Sequence, residues 1–427
     1  MNQLSKTWVI VGLVSSIIAV SCSKKELPDN YIDTLPNKII LDWNLVTFQA
    51  EGGPTYQHAL LSSRINAMVH IAMHDAINAI IPQYEQYVYK TNTVVQANPF
   101  AAAASAAHTV LKGSFPEGVS AIDSALSAAL AAIPDGALKN KGIAVGIEAG
   151  NAILVLRSGD GAFDNPVAFI PVSSVPGVYN VVPPYNFLFA PQWKTMKLFS
   201  LESQSQFRSS PPPSINSNTY TTNFNEVKQV GKINSTTRTA DQSAYAKWWY
   251  EFSEIGWNRV ARVKAMEHKP GLFATARLFA LLNIALADSY TAGWDSKFYY
   301  NFWRPYTAIR AAATDGNNET LADINWEPAE PTPPVQDYPS THSVLGNAAA
   351  AVLADFFGHH TGFTMTSTTA VPAGSLRSFN SFKQAADENA DSRVRAGIHF
   401  RFACEAGQKM GDQIGKWTLK HTLKPLH

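Results

Sequence analysis

This chain of 427 residues has only two cysteines, Cys22 and Cys404. A disulfide framework is therefore excluded, and stability must come from a buried core. An excess of either charge is lacking too. The 34 Lys and Arg residues are offset by 33 Asp and Glu, a formal net charge of +1. That balance argues against a general nucleic-acid or membrane-surface binder, while leaving room for a local basic pocket. Convincing runs of alternating apolar and polar residues are missing, and no internal repeat is evident. Past Val20 no uncharged apolar stretch reaches the ~18 residues of a membrane span. The nearest, Leu272 to Ala287, is interrupted by Arg277 and Asn283. The mature protein is expected to be soluble, tethered at most.

What the chain has in quantity is apolar residues at helical spacing. Segments 60–80, 99–113, 117–133 and 138–156 show it first. Segments 240–263, 271–292, 341–357 and 390–420 show it again, and Lys297 to Ala313 reads as a further helix. Between them, 157–240 is rich in Gly, Pro, Ser, Asn and Thr, too long for a simple loop. It reads as an irregular excursion over the helices with short helices inside. The fold class expected is all-α, helical bundles with a long irregular middle, in one domain over 45–427 whose motif-bearing part is 240–420.

The N-terminus reads as an export signal. Lys6 precedes an apolar run from Trp8 to Val20, and Ala19-Val20-Ser21-Cys22 resembles a bacterial lipobox. The expectation is a signal over 1–22, Cys22 as the lipidated residue, and a linker over 23–44. Membrane contact would be through that lipid anchor, at the bacterial cell envelope; the alternatives are plain secretion and an uncleaved anchor. Cys404 is expected to be a small buried residue in a helix.

Three short segments carry the chemistry. Lys297 and Arg304 are seven residues apart, which on one helix places both on one face about 10 Å apart. Pro339-Ser340-Thr341-His342 ends a proline-rich loop where a helix begins. Ser340 or Thr341 would cap it, and its free N–H groups would seat an anion. Ser392-Arg393 is followed by His399, and the six-residue step from Arg393 requires a bend if both point inward. Three cations in one interior would repel strongly unless an anion lay among them.

These motifs resemble the superfamily of vanadium-dependent haloperoxidases and type 2 phosphatidic acid phosphatases. Its signature, Lys-x6-Arg-Pro, Pro-Ser-Gly-His and Ser-Arg-x5-His, stands here as Lys297 to Pro305, Pro339 to His342 and Ser392 to His399. Arg64 to Ile80, Arg157 to Ala162 and Asn225 to Trp257 look like its soluble bacterial haloperoxidase-like branch. The resemblance implies vanadate, or phosphate in the same place, on Lys297, Arg304, Arg393, Ser340 and the N–H of Thr341. It implies His399 as the axial vanadium ligand, or as nucleophile in a phosphatase, and His342 as the acid–base group. Hydrogen peroxide and halide would be the substrates. The alternatives are an acid phosphatase and a non-catalytic oxyanion-binding lipoprotein. Relatives are often oligomeric, so a homo-oligomer is compatible with it. Two positions depart from the pattern: Thr341 replaces glycine, and Ala403 stands where relatives often carry Asp.

Other residues invite separate readings. Asp288 and Asp295, upstream of Lys297, are candidate partners that orient a cation. His70 and His74 share a helical face but lack a third metal ligand, and read as structural histidines. Arg157-Ser158-Gly159-Asp160-Gly161 reads as a turn after a helix rather than a calcium loop.

Overall fold

The computed structural model describes residues 32–52, 58–115 and 119–426. The stretch read as an export signal, with Cys22, lies outside them. A first group of helices comprises α1 (Lys38–Ala50), α2 (Ala59–Asn78), α3 (Pro99–Ser114), α4 (Val119–Ala131) and α5 (Ala137–Leu156). A second comprises α6 (Asn218–Val230), α7 (Ala240–Trp248), α8 (Ser253–His268), α9 (Leu272–Tyr300) and α10 (Pro305–Ala311). It continues with α11 (Thr341–Phe357), α12 (Phe382–Arg395) and α13 (Arg401–His421). The all-α expectation holds. Strands among the described residues are two short antiparallel pairs, Val167–Ala168 with Leu188–Phe189 and Phe363–Thr366 with Leu376–Phe379.

The fold begins earlier than expected. Helix α1 starts at Lys38, inside the stretch read as a linker, and buries Ile40, Leu41 and Trp43. Its apolar face is short and follows a polar, proline-containing stretch, which masks the periodicity.

Helices α2 and α9 form the centre, packed on each other and buried along most of their lengths. Helix α9 is long and apolar enough to cross a membrane, yet 89% of its most apolar window is buried inside the protein. It is a core helix.

The two groups use one packing device. Gly142, Gly146 and Gly150 of α5 lie against α3, and Gly407, Gly411 and Gly415 of α13 lie against α11. At four-residue spacing the glycines form a smooth stripe that lets the partner backbone approach closely. A Cβ at Gly411 would stand 2.1 Å from the carbonyl oxygen of Val344, and one at Gly407 2.5 Å from that of Ser340. The stripe thus sets how near α13 comes to the mouth of α11. Gly411→Ala is expected to destabilise the protein by about 1–3 kcal/mol through overpacking, read as a lower midpoint in urea unfolding.

The excursion after α5 does pass over this end of the molecule. Tyr179 donates its N–H to the carbonyl of Asn301 at 2.9 Å, and Trp303 donates to that of Gly177 at 2.9 Å. Both bonds fasten the excursion to the link between α9 and α10.

Candidate functional site

Lys297 and Arg304 do not share a helix, contrary to the reading of Lys297 to Ala313 as one. Helix α9 stops at Asn301, which adopts a left-handed backbone (φ 47°) and donates its N–H to Lys297 O at 2.9 Å. Asparagine tolerates that conformation better than most residues. Arg304 then caps α10 in extended conformation (ψ 157°), as expected for the residue before a proline. Lys297 therefore leaves the last turn of one helix and Arg304 the threshold of the next.

Both cations grip the loop that leads into α11. Lys297 Nζ donates to the carbonyls of Gln336 and Asp337, at 2.7 and 3.0 Å. Arg304 donates through Nε to Val335 O and through Nη1 to Ile398 O, each at 2.7 Å. Ser340 is the cap residue of α11, but its hydroxyl makes no cap bond. Its N–H goes instead to Ala403 O at 2.9 Å. The Ser340 and Thr341 hydroxyls are both buried without a partner among the described residues.

The third segment bends as required. Arg393 lies in the last turn of α12, Gly397 turns the chain with φ 80°, and His399 follows before α13. His399 Nε2 is 2.9 Å from Arg304 Nη1, so the first and third motifs meet directly. Arg393 has one long contact, Nη1 to Trp249 O at 3.4 Å, and lies over the Tyr250 ring. Its Nε has no partner among the described residues. His342 Nε2 is 3.0 Å from the carbonyl of Glu251, which assigns the proton to Nε2 and leaves Nδ1 as an acceptor.

Asp288 and Asp295 do not orient these cations. The Asp288 carboxylate accepts the N–H groups of Phe199, Ser200 and Leu201 at 2.7–3.0 Å. Asp295 pairs with Arg208 at 2.7 Å. The reason is helical phase. At 3.6 residues per turn, positions nine and two before Lys297 point to roughly the opposite side of α9.

The carboxylate of the site is Asp337, which sequence reasoning missed. It is fully buried, its Oδ1 lies 2.8 Å from His399 Nδ1 and 3.8 Å from Arg304 Nη1. It sits in an aperiodic proline-rich loop, where nothing in the spacing marks it. It places a carboxylate beside His399 although Ala403 provides none.

Burial governs the electrostatics. It pushes the Lys297 ammonium well below its ordinary value, with Arg304 adding to the effect. Arg304 is lowered, and Arg393 falls to about 10, again chiefly by burial. Burial also holds both imidazoles well below the usual histidine value. The next cause is Arg393 for His342 and Arg304 for His399. Desolvation raises the Asp337 carboxyl to about 7, against the pull of Arg304 and Lys297. Three cations with one carboxylate, unpartnered hydroxyls and a helix mouth make a donor set for a multiply charged oxyanion. Such an anion would offset the desolvation of each cation, and neutral His399 keeps a ring nitrogen able to coordinate.

The remaining readings resolve simply. His70 Nε2 meets Asn44 at 2.8 Å and His74 lies beside Asp75 at 3.3 Å, both buried. Among the described residues no cluster of three or more potential metal ligands occurs. Arg157 to Gly161 is a turn after α5, with Asp160 paired to Arg64 and Arg157. Cys404 is buried in α13, its thiol pushed up to about 12 by burial.

Comparison with known proteins agrees with this architecture. Residues 277–427 match the family described as the VCPO second helical-bundle domain. A vanadium chloroperoxidase of Curvularia inaequalis is 25% identical over 291 residues, 53% of this chain. The chain spans about half of that relative's length, 48%. The crystal structure of a bacterial vanadium-dependent iodoperoxidase superposes with a TM-score of 0.78 at 26% identity, covering 94% of this chain and 99% of that one. A holo-type bacterial vanadium-dependent chloroperoxidase has the same fold, with a TM-score of 0.67 at 16% identity over 92% and 93% of the two chains. The fold is thus the all-helical fold of the vanadium haloperoxidases. The family model, the curated relative and these solved structures all point to the vanadium haloperoxidases, which this chain resembles over the spans given.

Proposed function

We propose that the protein is a vanadium-dependent haloperoxidase that oxidises halide with hydrogen peroxide to a hypohalous-acid equivalent. The observation that carries this reading is the meeting of three separate motifs around buried, under-neutralised cations, with Arg304 Nη1 2.9 Å from His399 Nε2. Lys297, Arg304 and Arg393 would hold the oxygens of vanadate, helped by the Ser340 hydroxyl and the Thr341 N–H. His399 would hold the metal through Nε2, giving up its contact with Arg304 Nη1 to do so, with Asp337 beside Nδ1 to orient the ring. Bound there, vanadate supplies a Lewis-acidic centre that activates peroxide toward halide.

The chain's own residues do the rest. The cations, themselves buried, would neutralise charge that develops on oxygen. His342, held neutral and donating to Glu251 O, keeps Nδ1 free to take and return a proton. Burial of the surrounding aromatic side chains excludes bulk solvent.

The purified protein is expected to halogenate a phenolic dye in the presence of vanadate, peroxide and bromide or iodide, and not when any one is omitted. Hydrolysis of a phosphomonoester, inhibited by vanadate and unaccompanied by halogenation, would replace this reading with that of an acid phosphatase.

A further inference from the structure

The proposed reaction consumes a proton at every turnover. Halide gives two electrons to peroxide and the O–O bond breaks. One oxygen leaves with the halogen, and the other leaves as water carrying the added proton. The imidazoles of the site are poor stores for that proton, because burial and the neighbouring cations hold them neutral.

A better store lies one helical turn from the site wall. Glu251, whose carbonyl meets His342, is followed by Glu254 in the first turn of α8. Glu254 is buried and, among the described residues, has no cation within ion-pair distance. Its Oε2 accepts the Tyr290 hydroxyl at 2.8 Å, and its Oε1 has no partner. On the other side is a polar cavity of about 10 Å³, lined by Glu254, Glu51, Asn66, Asn258 and Arg262. That is room for about one water.

Tyr290 faces inward. It lies on α9 seven residues before Lys297, on the same face and about 10 Å along the axis, and its phenol feels the Arg393 charge. The titratable and charged groups around the Glu254 carboxyl are Tyr290 from α9, Glu51 at the end of α1, Glu251 on the preceding turn and Arg262 across the cavity. Burial dominates among them and raises the Glu254 carboxyl to about 8, so it carries its proton at neutral pH.

We propose that Glu254 is the proton store of the reaction, filled from the Glu51-lined cavity and emptied toward the oxyanion site through Tyr290. This rests on the peroxidase reading. In the transfer the Tyr290–Glu254 hydrogen bond reverses. The Glu254 O–H bond breaks as its proton passes to Tyr290 Oη, the Tyr290 O–H bond breaks in turn, and that proton goes to His342 Nδ1, the free acceptor of the site. Glu254, left as carboxylate, regains a proton from water in the cavity.

The test compares wild type with Glu254→Gln and Tyr290→Phe. Infrared spectra as a function of pH read the protonated acid directly. The carbonyl band of Glu254 is the one that Glu254→Gln removes from the spectrum, leaving those of other raised carboxyls such as Glu51. It is expected in wild type, lost with a midpoint of about pH 8, and in Tyr290→Phe, lost at higher pH because the hydroxyl that lowers the carboxyl is gone. The kcat for halide oxidation should fall about a hundredfold in both variants, the usual scale of one proton-transfer group. The wild-type decline of kcat above about pH 8 should vanish in Glu254→Gln. Vanadate-induced rises in melting temperature should be equal in all three proteins, which confirms folding and an intact anion site. Wild-type turnover in Glu254→Gln, or no such band at neutral pH, overturns the proposal. A wild type that binds vanadate and shows the band but oxidises no halide removes the peroxidase reading, and the proton store with it.

Discussion

Replacing Arg393 by methionine will cost at least a hundredfold in oxyanion affinity yet leave the unliganded protein as stable as wild type or more so. The side chain is buried, makes one 3.4 Å contact and has an unpartnered Nε. A buried charge with so few partners contributes little to the unliganded fold. Exchanging buried ionic groups for apolar ones of similar size is often neutral or stabilising by about 1–4 kcal/mol. With an anion present the guanidinium gains its partner, and removing one side of a buried ion pair costs about 3–5 kcal/mol. Each 1.4 kcal/mol is about tenfold in affinity. Urea unfolding and vanadate titration of the same variant give the two signs separately. A variant that is destabilised without oxyanion and binds it normally would show Arg393 to be structural only.

Asp337→Ala should act in the reverse sense. Asp337 is the carboxylate nearest the Arg304 and Lys297 charges, and it adjoins His399 Nδ1. At pH 8, above the carboxyl's value of about 7, it is mainly ionised. Its loss leaves Lys297, Arg304 and Arg393 without a countercharge but also removes a carboxylate whose burial opposes its own ionisation. Stability should therefore fall by less than the cost of breaking an unopposed buried pair, about 3–5 kcal/mol. Added phosphate or vanadate should restore part of it, because a ligand at a hundred times its dissociation constant stabilises by about 2.7 kcal/mol. Urea unfolding with and without phosphate checks this. An Asp337→Ala protein as stable as wild type would mean that the cations are not in electrostatic contact with that carboxylate.

The fold was largely legible because helical periodicity is strong in this chain. The segments around α2, α3, α5 and α11 were visible with nearly their observed ends. Where periodicity ran across a break, it misled. Lys297 and Arg304 have spacing compatible with one helix, and only the left-handed Asn301 and the extended residue before Pro305 separate them. Helix phase, applied to Asp288 and Asp295, would already have turned both away from Lys297. Asp337 lay beyond reach for another reason. It belongs to a loop positioned by donors from α9 and α10, and such tertiary contacts leave no local pattern. The glycine stripe of α13 was present in the sequence, but its meaning came only with the backbone of α11 lying against it.

The most direct test of the central claim is a calorimetric titration of the wild-type protein with vanadate, repeated on Arg393→Met. One equivalent should bind to wild type, phosphate should compete for the same place, and the variant should give at least a hundredfold weaker binding. No binding to wild type, or undiminished binding to the variant, would contradict the convergence of the three motifs on one oxyanion.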